Sequence, residues 1–522
     1  MSFVSVEENS SPPTVLIVGA GIGGLTLAVL LQRAGIHYEV LERAAEIRPL
    51  GSALALGANV LHVFEQLGLA DAILKKSKPV HTRRSYTEKR ELKYSMDYSR
   101  AAILSGYPAV IIDRPTLYSI LLEQIPSAKV HMRKKVLYIY QDSDGYEHND
   151  IDTHPFTKES LQGHGVMVQC SDNSRYYGDI LVGADGAYSG VRQSLYKHLG
   201  KIDKLPESDK DELPFNSMCL VGQTRPLDVT KFPYLQGEAS SFQSIVGENK
   251  PYTWSAFSTR ANTICWIVTH HMDKEARRSC NRFQNSEWGP EKAESMCAVV
   301  KDFPIACGGD AGYLVANEKA GLTIGDLINE TPRDCISKVT REEKFFETWC
   351  YKRVVLIGDA CHKLYPSAGL GAVSAIQDAT ILANVLHDLL YPITYPASPP
   401  LTSATLTAAQ RSSDAISMAF QLYRDERFPL AKSAFETSHR MGALIGKSWI
   451  NDVIRALTPY TPTWLWEKQM MKMFGYRPQA SFLPKVQDNG EIPPLSQPSL
   501  ERAEENKRRV KARMEREAAI SA

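Results

Sequence analysis

The chain has 522 residues, with 60 Lys and Arg against 59 Asp and Glu and apolar and charged shares ordinary for a soluble globular protein. That length holds about two to four domain-sized units, and a net charge of +1 gives no footprint for nucleic acid or a polybasic membrane contact. Nine cysteines, odd in number and without a CxxC, argue against a disulfide scaffold, a zinc site or a redox-active disulfide.

The N-terminus, Met1 to Pro13, is polar and lacks the apolar core of a secretory signal. No apolar run reaches 18 residues, so no transmembrane segment is expected and a cytoplasmic location is the default. Val15 to Val18 then reads as a buried parallel strand. It runs into Gly19-Ala20-Gly21-Ile22-Gly23-Gly24, where Gly19, Gly21 and Gly24 permit a tight turn and close approach of a pyrophosphate. A helix from about Gly24 to Ala34 would aim its N-terminal dipole at those phosphates. Gly35 breaks it, and a second strand, Tyr38 to Leu41, ends at Glu42, an acid placed to accept from ribose hydroxyls.

Further along, Gln141 to Gly165 reads as an insertion in a hairpin and Lys201 to Pro214 as a charged loop. Between them stands a second motif, Gly183-Ala184-Asp185-Gly186. Four β-like segments follow: Met218 to Gly222, Ser241 to Gly247, Tyr252 to Ser258 and Thr263 to Thr269. Their alternation predicts an antiparallel sheet with one buried face, Trp254 and Trp266 in its core. His270-His271 has no carboxylate or Cys at ligand spacing, so no metal is expected.

Val354 to Ile357 forms another buried-strand run, closing on Gly358-Asp359-Ala360-Cys361-His362. Asp359, at a strand end, suits a sugar-alcohol hydroxyl. Pro366, Gly369, Gly371 and Ala372 bring bare backbone to a helix start expected near Ser374. One Gly-rich loop names only a dinucleotide; three motifs in this order describe bound FAD. Tyr391 to Ser413 reads as a linker, helices follow, and the charged segment from Glu501 reads as a solvated tail.

On these residues the chain resembles the group A FAD-dependent monooxygenases of the p-hydroxybenzoate hydroxylase type, and more narrowly those of fungal aromatic and secondary metabolism. The resemblance runs from about Thr14 to Leu390, with Gly183–Arg192 and Gly358–Ala379 its most specific parts. It implies an α/β fold: a Rossmann-like FAD-binding domain (1–85, 113–200 and 345–395) interrupted by an antiparallel-sheet substrate domain (86–112 and 210–344). A C-terminal helical region (396–500) and the charged tail (501–522) follow.

The resemblance also implies roles. Glu42 matches a ribose-binding acid, Ala55 a backbone contact to FAD, and Arg114 an arginine that opens a helix and reaches the cofactor. Asp359 matches the ribityl-binding aspartate and Ala372 a backbone contact. Asp185, Gly186 and Arg192 match a segment serving FAD and transient NAD(P)H, and His362 and Pro366 the loop beside the isoalloxazine. Arg192, His362 and Pro366 are thereby the expected catalytic set. The implied reaction takes NAD(P)H, O2 and a small-molecule substrate through a C4a-hydroperoxyflavin to a hydroxylated or epoxidised product.

Two departures stand out. Val373 occupies a position where many members have Asn, and Phe215 to Gly222 has no tyrosine, leaving the acid or base open. Trp464-Leu465-Trp466 is similar to part of the halogenase WxWxIP motif, but Glu467-Lys468 follows and the position is too late. A flavin oxidase or reductase, a non-catalytic FAD-binding protein and an NAD dehydrogenase stay open as alternatives; the last would leave the Gly358–Gly371 loop with no task.

Overall fold

A computed structural model describes residues 14–46, 53–141, 161, 165–211, 213–272, 290–306, 322–391, 412–442, 444–447 and 449–521. Its first unit is built on a six-stranded sheet in the order Cys350–Tyr351, Val354–Leu356, Ile180–Gly183, Thr14–Val18, His37–Leu41 and Val130–His131. All neighbours run parallel except the Cys350–Tyr351 edge, which turns back on its neighbour. Val15, Leu16, Ile17 and Val18 are all buried, as a strand covered on both faces requires. One cover is the Ile22–Ala34 helix, which starts two residues earlier than the sequence pattern suggests and ends on Gly35 in the left-handed conformation. The long Leu370–Leu390 helix packs against it.

The second unit is a seven-stranded sheet in the order Ser337–Glu342, Phe215–Gln223, Ile264–His271, Tyr252–Ser258, Phe242–Val246, Thr82–Tyr86 and Leu92–Asp97. It contains all four predicted strands. It is antiparallel save for one parallel pair, Phe242–Val246 with Thr82–Tyr86. The strand Thr82–Tyr86 belongs to this sheet, so the first boundary moves from residue 86 back to about 81. A strand goes with the partners that satisfy its backbone.

The expectation of a single buried face is corrected too. Trp254, Trp266, Val268 and Leu220 pack under Ala293, Met296, Val300, Ile324 and Leu327. The opposite face carries Phe257 and Cys265, buried against Val80 and Ile111. The first cover is helical and the second belongs to the FAD-like unit, so the central strands are covered on both faces, while the Leu92–Asp97 edge strand stays largely exposed. Both tryptophans are core residues whose indoles donate to Pro304 O (2.7 Å) and Thr331 Oγ1 (3.0 Å).

The strands Val136–Gln141 and Val166–Cys170 pair as the predicted hairpin, while most of its insertion lies outside the described residues, as do 392–411 of the expected linker. The stretch expected as a charged loop after Lys201 contains a short helix, Glu207–Lys210, with buried Asp209 accepting from the backbone of Glu347 and Thr348. C-terminal helices begin at Ser413, as predicted. The charged tail is a helix, Pro498–Ser521, whose buried Leu500 and Ala503 tie its start to the body.

Candidate FAD site

Three strands of the parallel sheet end side by side. Val18 is paired with Gly183, Gly183 with Leu356, and Val18 with Leu41 on its other flank. Each motif begins where one of these strands stops. A register shared by four strands therefore delivers the Gly19–Gly24 turn, Glu42, the Ala184–Gly186 loop and the Gly358–His362 loop to one sheet edge. Ligands of open α/β sheets bind at that edge.

The turn is shaped for a group that a side chain would displace. Gly19 has φ +108°, and a Cβ there would fall 2.5 Å from Ala184 O; one on Gly24 would fall 2.1 Å from Gly19 O. The following helix has Gly21 as N-cap, no side-chain cap and no acid in its first turn, which leaves its N–H groups and dipole for an anion. Glu42 accepts from Ala20 N and Ala44 N, both at 2.8 Å, fixing the carboxylate beside the turn with lone pairs to spare.

The late loop closes from the other side. Asp359 takes an ion pair from Lys363 on Oδ2 at 2.5 Å, while its Oδ1 faces Gly371. Pro366 opens a short turn, Pro366–Ala368, and Gly369 (φ +67°) caps the Leu370–Leu390 helix, which starts four residues before the expected Ser374. Ala372 lies in its first turn. Val373 is buried in the core. A Cβ on Gly369 would lie 3.2 Å from that of exposed Ala55, so the edge strand Ala53–Leu56 reaches the same place. Arg114 opens the helix Arg114–Leu122 next to that strand, and its buried Nε has no hydrogen-bond partner among the described residues. Asp185 Oδ1 is orphaned in the same sense, and burial pushes its carboxyl above the ordinary range. Bare glycine backbone, an uncapped helix start and orphaned polar atoms fit a large polyanionic cofactor.

Two expected catalytic residues have different surroundings from those the motif suggests. Arg192 is buried; its guanidinium donates to Ala360 O (2.8 Å) and Ala187 O (2.6 Å) and lies 4.2 Å from the Phe346 ring centroid. It thus ties the second motif to the third. His362 is wholly buried: Nε2 meets Asp378 Oδ2 at 2.6 Å, and the ring packs on Trp349. Asp378 also accepts from Gly358 N and from Arg427 Nε, each at 2.8 Å. Burial alone would raise the Asp378 carboxyl, but His362 and Arg427 outweigh it and hold it at about 2. Pro366 is exposed on the loop. Cys361, His362 and Asp378 lie within metal-ligand reach of one another, yet Arg427 already neutralises the carboxylate and the Cys361 thiol is pushed well up by burial.

Sequence reasoning missed the polar end of the second sheet. Arg341, Ser217 and His271 are cross-strand partners, and Cys219 and Thr269 form the next pair on that face. The Arg341 guanidinium lies 4.2 Å from the Tyr365 ring centroid, one residue before Pro366, and donates to Thr269 Oγ1 at 2.8 Å. Arg341 is 8% exposed, with an orphaned Nε. At the other end the same face meets the Ala53–Leu56 and Val110–Asp113 strands through Cys265 and Phe257. The sheet therefore roofs the late loop. A tyrosine beside Pro366 was the available signal; the partner on a strand distant in sequence was not.

The sequence profile of the FAD binding domain family matches residues 13–204 and 318–391. The chain belongs to that family. It is similar to the FAD-dependent monooxygenase dpasE of Apiospora sacchari, 26% identical over 90% of this chain and 87% of the relative. It is likewise similar to prhF of Penicillium brasilianum, 27% identical over 88% and 83%. Among solved structures, Klebsiella pneumoniae HpxO complexed with FAD and uric acid shares the fold, with TM-score 0.61, 17% identity and coverage of 90% and 98%. The protein is thus a group A FAD-dependent monooxygenase of the fungal secondary-metabolism type, an oxidoreductase with FAD as its cofactor.

His271 supplies a pH prediction for this flavoprotein. Burial first, then Arg341 and Lys447, push its ring down to about 4. The unfolded ring titrates near ~6.5. Above that value both states are neutral. As pH falls towards 4 the unfolded state takes up a proton that the folded one refuses, so stability declines. His387, also held at about 4 by burial, adds a parallel loss. The expected result is that His271→Gln flattens the fall in melting temperature between those pH values relative to the parent; parallel curves would refute it.

Proposed function

We propose that this flavoprotein uses NAD(P)H and O2 to hydroxylate or epoxidise an apolar aromatic or isoprenoid-like small molecule, one oxygen atom entering the product and the other leaving as water. The observation that carries the reading is the convergence of three motif loops on one sheet edge, beneath a sheet face anchored to that edge at both ends. FAD, once bound, supplies the redox and oxygen-activating chemistry.

The chain's residues do the rest. Glu42 would hold the adenosine ribose, the Gly19–Gly24 turn the pyrophosphate, and Asp359 the ribityl chain. Arg114, Ala55, Gly369, Gly371 and Ala372 line the remainder of the cofactor bed. Asp185 and Gly186 would serve the approach of NAD(P)H; the open space at Gly186, where a Cβ would meet nothing within 4 Å, supports this. Arg192 and His362 act as positioning residues, since each holds the late loop from beneath, and Pro366 stiffens its exposed bend. The covers on both faces of the second sheet's central strands would help keep water from the reacting centre. Arg341, whose buried Nε–H has no acceptor among the described residues, would donate to a polar group of the substrate beside Tyr365, whose hydroxyl burial keeps protonated.

The test is turnover of the purified protein under air with NADPH or NADH across aromatic and prenylated candidates, following flavin bleaching and oxygenated product. A productive candidate is expected to lose affinity in Arg341→Gln, with KM raised about 10- to 100-fold and kcat nearly unchanged, as for a lost charged hydrogen bond. Stoichiometric peroxide with no oxygenated product would point to an oxidase. Flavin that neither nicotinamide reduces would overturn the reading.

A further inference from the structure

Globular proteins turn the apolar stripe of a surface helix inward. The Trp449–Leu457 helix does the reverse. Trp449, Ile450, Val453, Ile454 and Leu457 share one face and are all exposed, Trp449 at 75%. On the opposite face Arg455 is buried and donates to Gly446 O at 2.6 Å. The polar side holds the helix to the body and the apolar side faces out. The chain then continues through Tyr460, 81% exposed, into the Thr463–Phe474 helix. That helix exposes Trp464 (65%) at its start and buries Met470, Met473 and Phe474 at its end.

We propose that this face docks on the surface of a lipid bilayer, lying in the headgroup region. No described helix is long and apolar enough to cross a membrane, and a short helix with a strongly segregated apolar face lies in the interface plane. Two exposed tryptophans and a tyrosine are the side chains that favour that depth, with an apolar body and a polar edge. Charge selects the occupant. The acids of the segment are engaged within the protein, Asp452 with Arg455 and Glu467 with Arg100. Lys468 and Lys472, on the Thr463–Phe474 helix that follows, stay exposed and are complementary to anionic headgroups.

The face also adjoins the site. Met441 and Leu444, just before the helix, pack with Ala368 of the flavin-loop turn and with Trp466. Delivery of an apolar substrate from the bilayer rests on the proposed function; the docking itself does not.

The experiment is flotation of full-length holoenzyme with vesicles of phosphatidylcholine alone and with roughly a quarter phosphatidylserine, read by flavin absorbance. The protein is expected to float with both and more fully with the anionic vesicles. Val453→Asp with Leu457→Asp should cut the floated fraction about tenfold, with flavin content and melting temperature unchanged. Lys468→Gln with Lys472→Gln should remove only the preference for anionic vesicles. Holoenzyme that stays unbound, or an aspartate variant that floats like the parent, would overturn the proposal. So would sedimentation velocity showing a parent dimer that the aspartate variant dissociates, which would make the face a contact between copies.

Discussion

Gly24→Ala is expected to yield a colourless protein. A Cβ at that position would stand 2.1 Å from Gly19 O and 3.3 Å from the Ala184 side chain. The first obstacle is backbone, so no rotamer change relieves it. Either the helix start shifts or Gly19, already at φ +108°, is driven from the turn, and in both cases the N–H groups leave their common focus. The core beneath is large, with Val15, Leu16, Ile17, Leu27 and Leu31 all nearly fully buried, and should hold the fold when the turn is disturbed. The variant should therefore fold while losing flavin affinity by two or more orders of magnitude, ~3 kcal/mol or more. Flavin-to-protein absorbance after purification, then titration of the apoprotein with FAD, measures it. Retention of stoichiometric flavin would refute the placement of the pyrophosphate.

Removing Asp378 is expected to be the costliest single substitution to the fold. Its carboxylate, 0% exposed, is shared by Arg427, His362 and the Gly358 amide. Asp378→Ala leaves the buried Arg427 guanidinium without its counter-ion and two further donors without an acceptor. Breaking such a pair costs about 3–5 kcal/mol. Asp378→Asn keeps the volume but turns an amide donor towards at least one existing donor, so it should recover only part of that loss. Because Gly358 opens the late motif, flavin should dissociate early in denaturant, and fluorescence of Trp349, which packs on His362, reports the same locus. Stability within about 1 kcal/mol of the parent would refute the network. The sign with pH is fixed: this carboxyl sits at about 2 when folded against ~3.9 unfolded. Its contribution is complete above the unfolded value and is lost as pH falls through the folded one.

The two variants probe parts of the molecule that differ in how openly the sequence displays them. Gly19, Gly24 and Glu42 are legible because strand, turn, helix and second strand are contiguous, and local sterics dictate which residues can stand there. Asp359 is legible for the same reason, at the end of its own strand. Asp378 is not. It sits inside an apolar helical run, and its partners are 16 residues back at His362 and 49 residues on at Arg427. A charge in such a run can face solvent or core, and only the packing of the Ser413–Gly442 helix on the Leu370–Leu390 helix decides it. His362 and Arg192 illustrate the consequence: their motifs do not display their partners, which are Asp378 for His362 and the Ala360 and Ala187 carbonyls for Arg192.

Local chemistry alone determined the cofactor class, the four central strands of the second sheet, the core tryptophans and the start of the C-terminal helices. Each rests on a spacing of a few residues, set by backbone geometry and the alternation of apolar side chains. Tertiary structure alone decided that three motifs share one edge, that Arg341 reaches Tyr365, and that the Trp449–Leu457 helix turns its apolar face outward. Those facts depend on which surfaces meet across hundreds of residues. Burial, pairing of buried charges and strand register are settled only when the whole chain competes for the same interior.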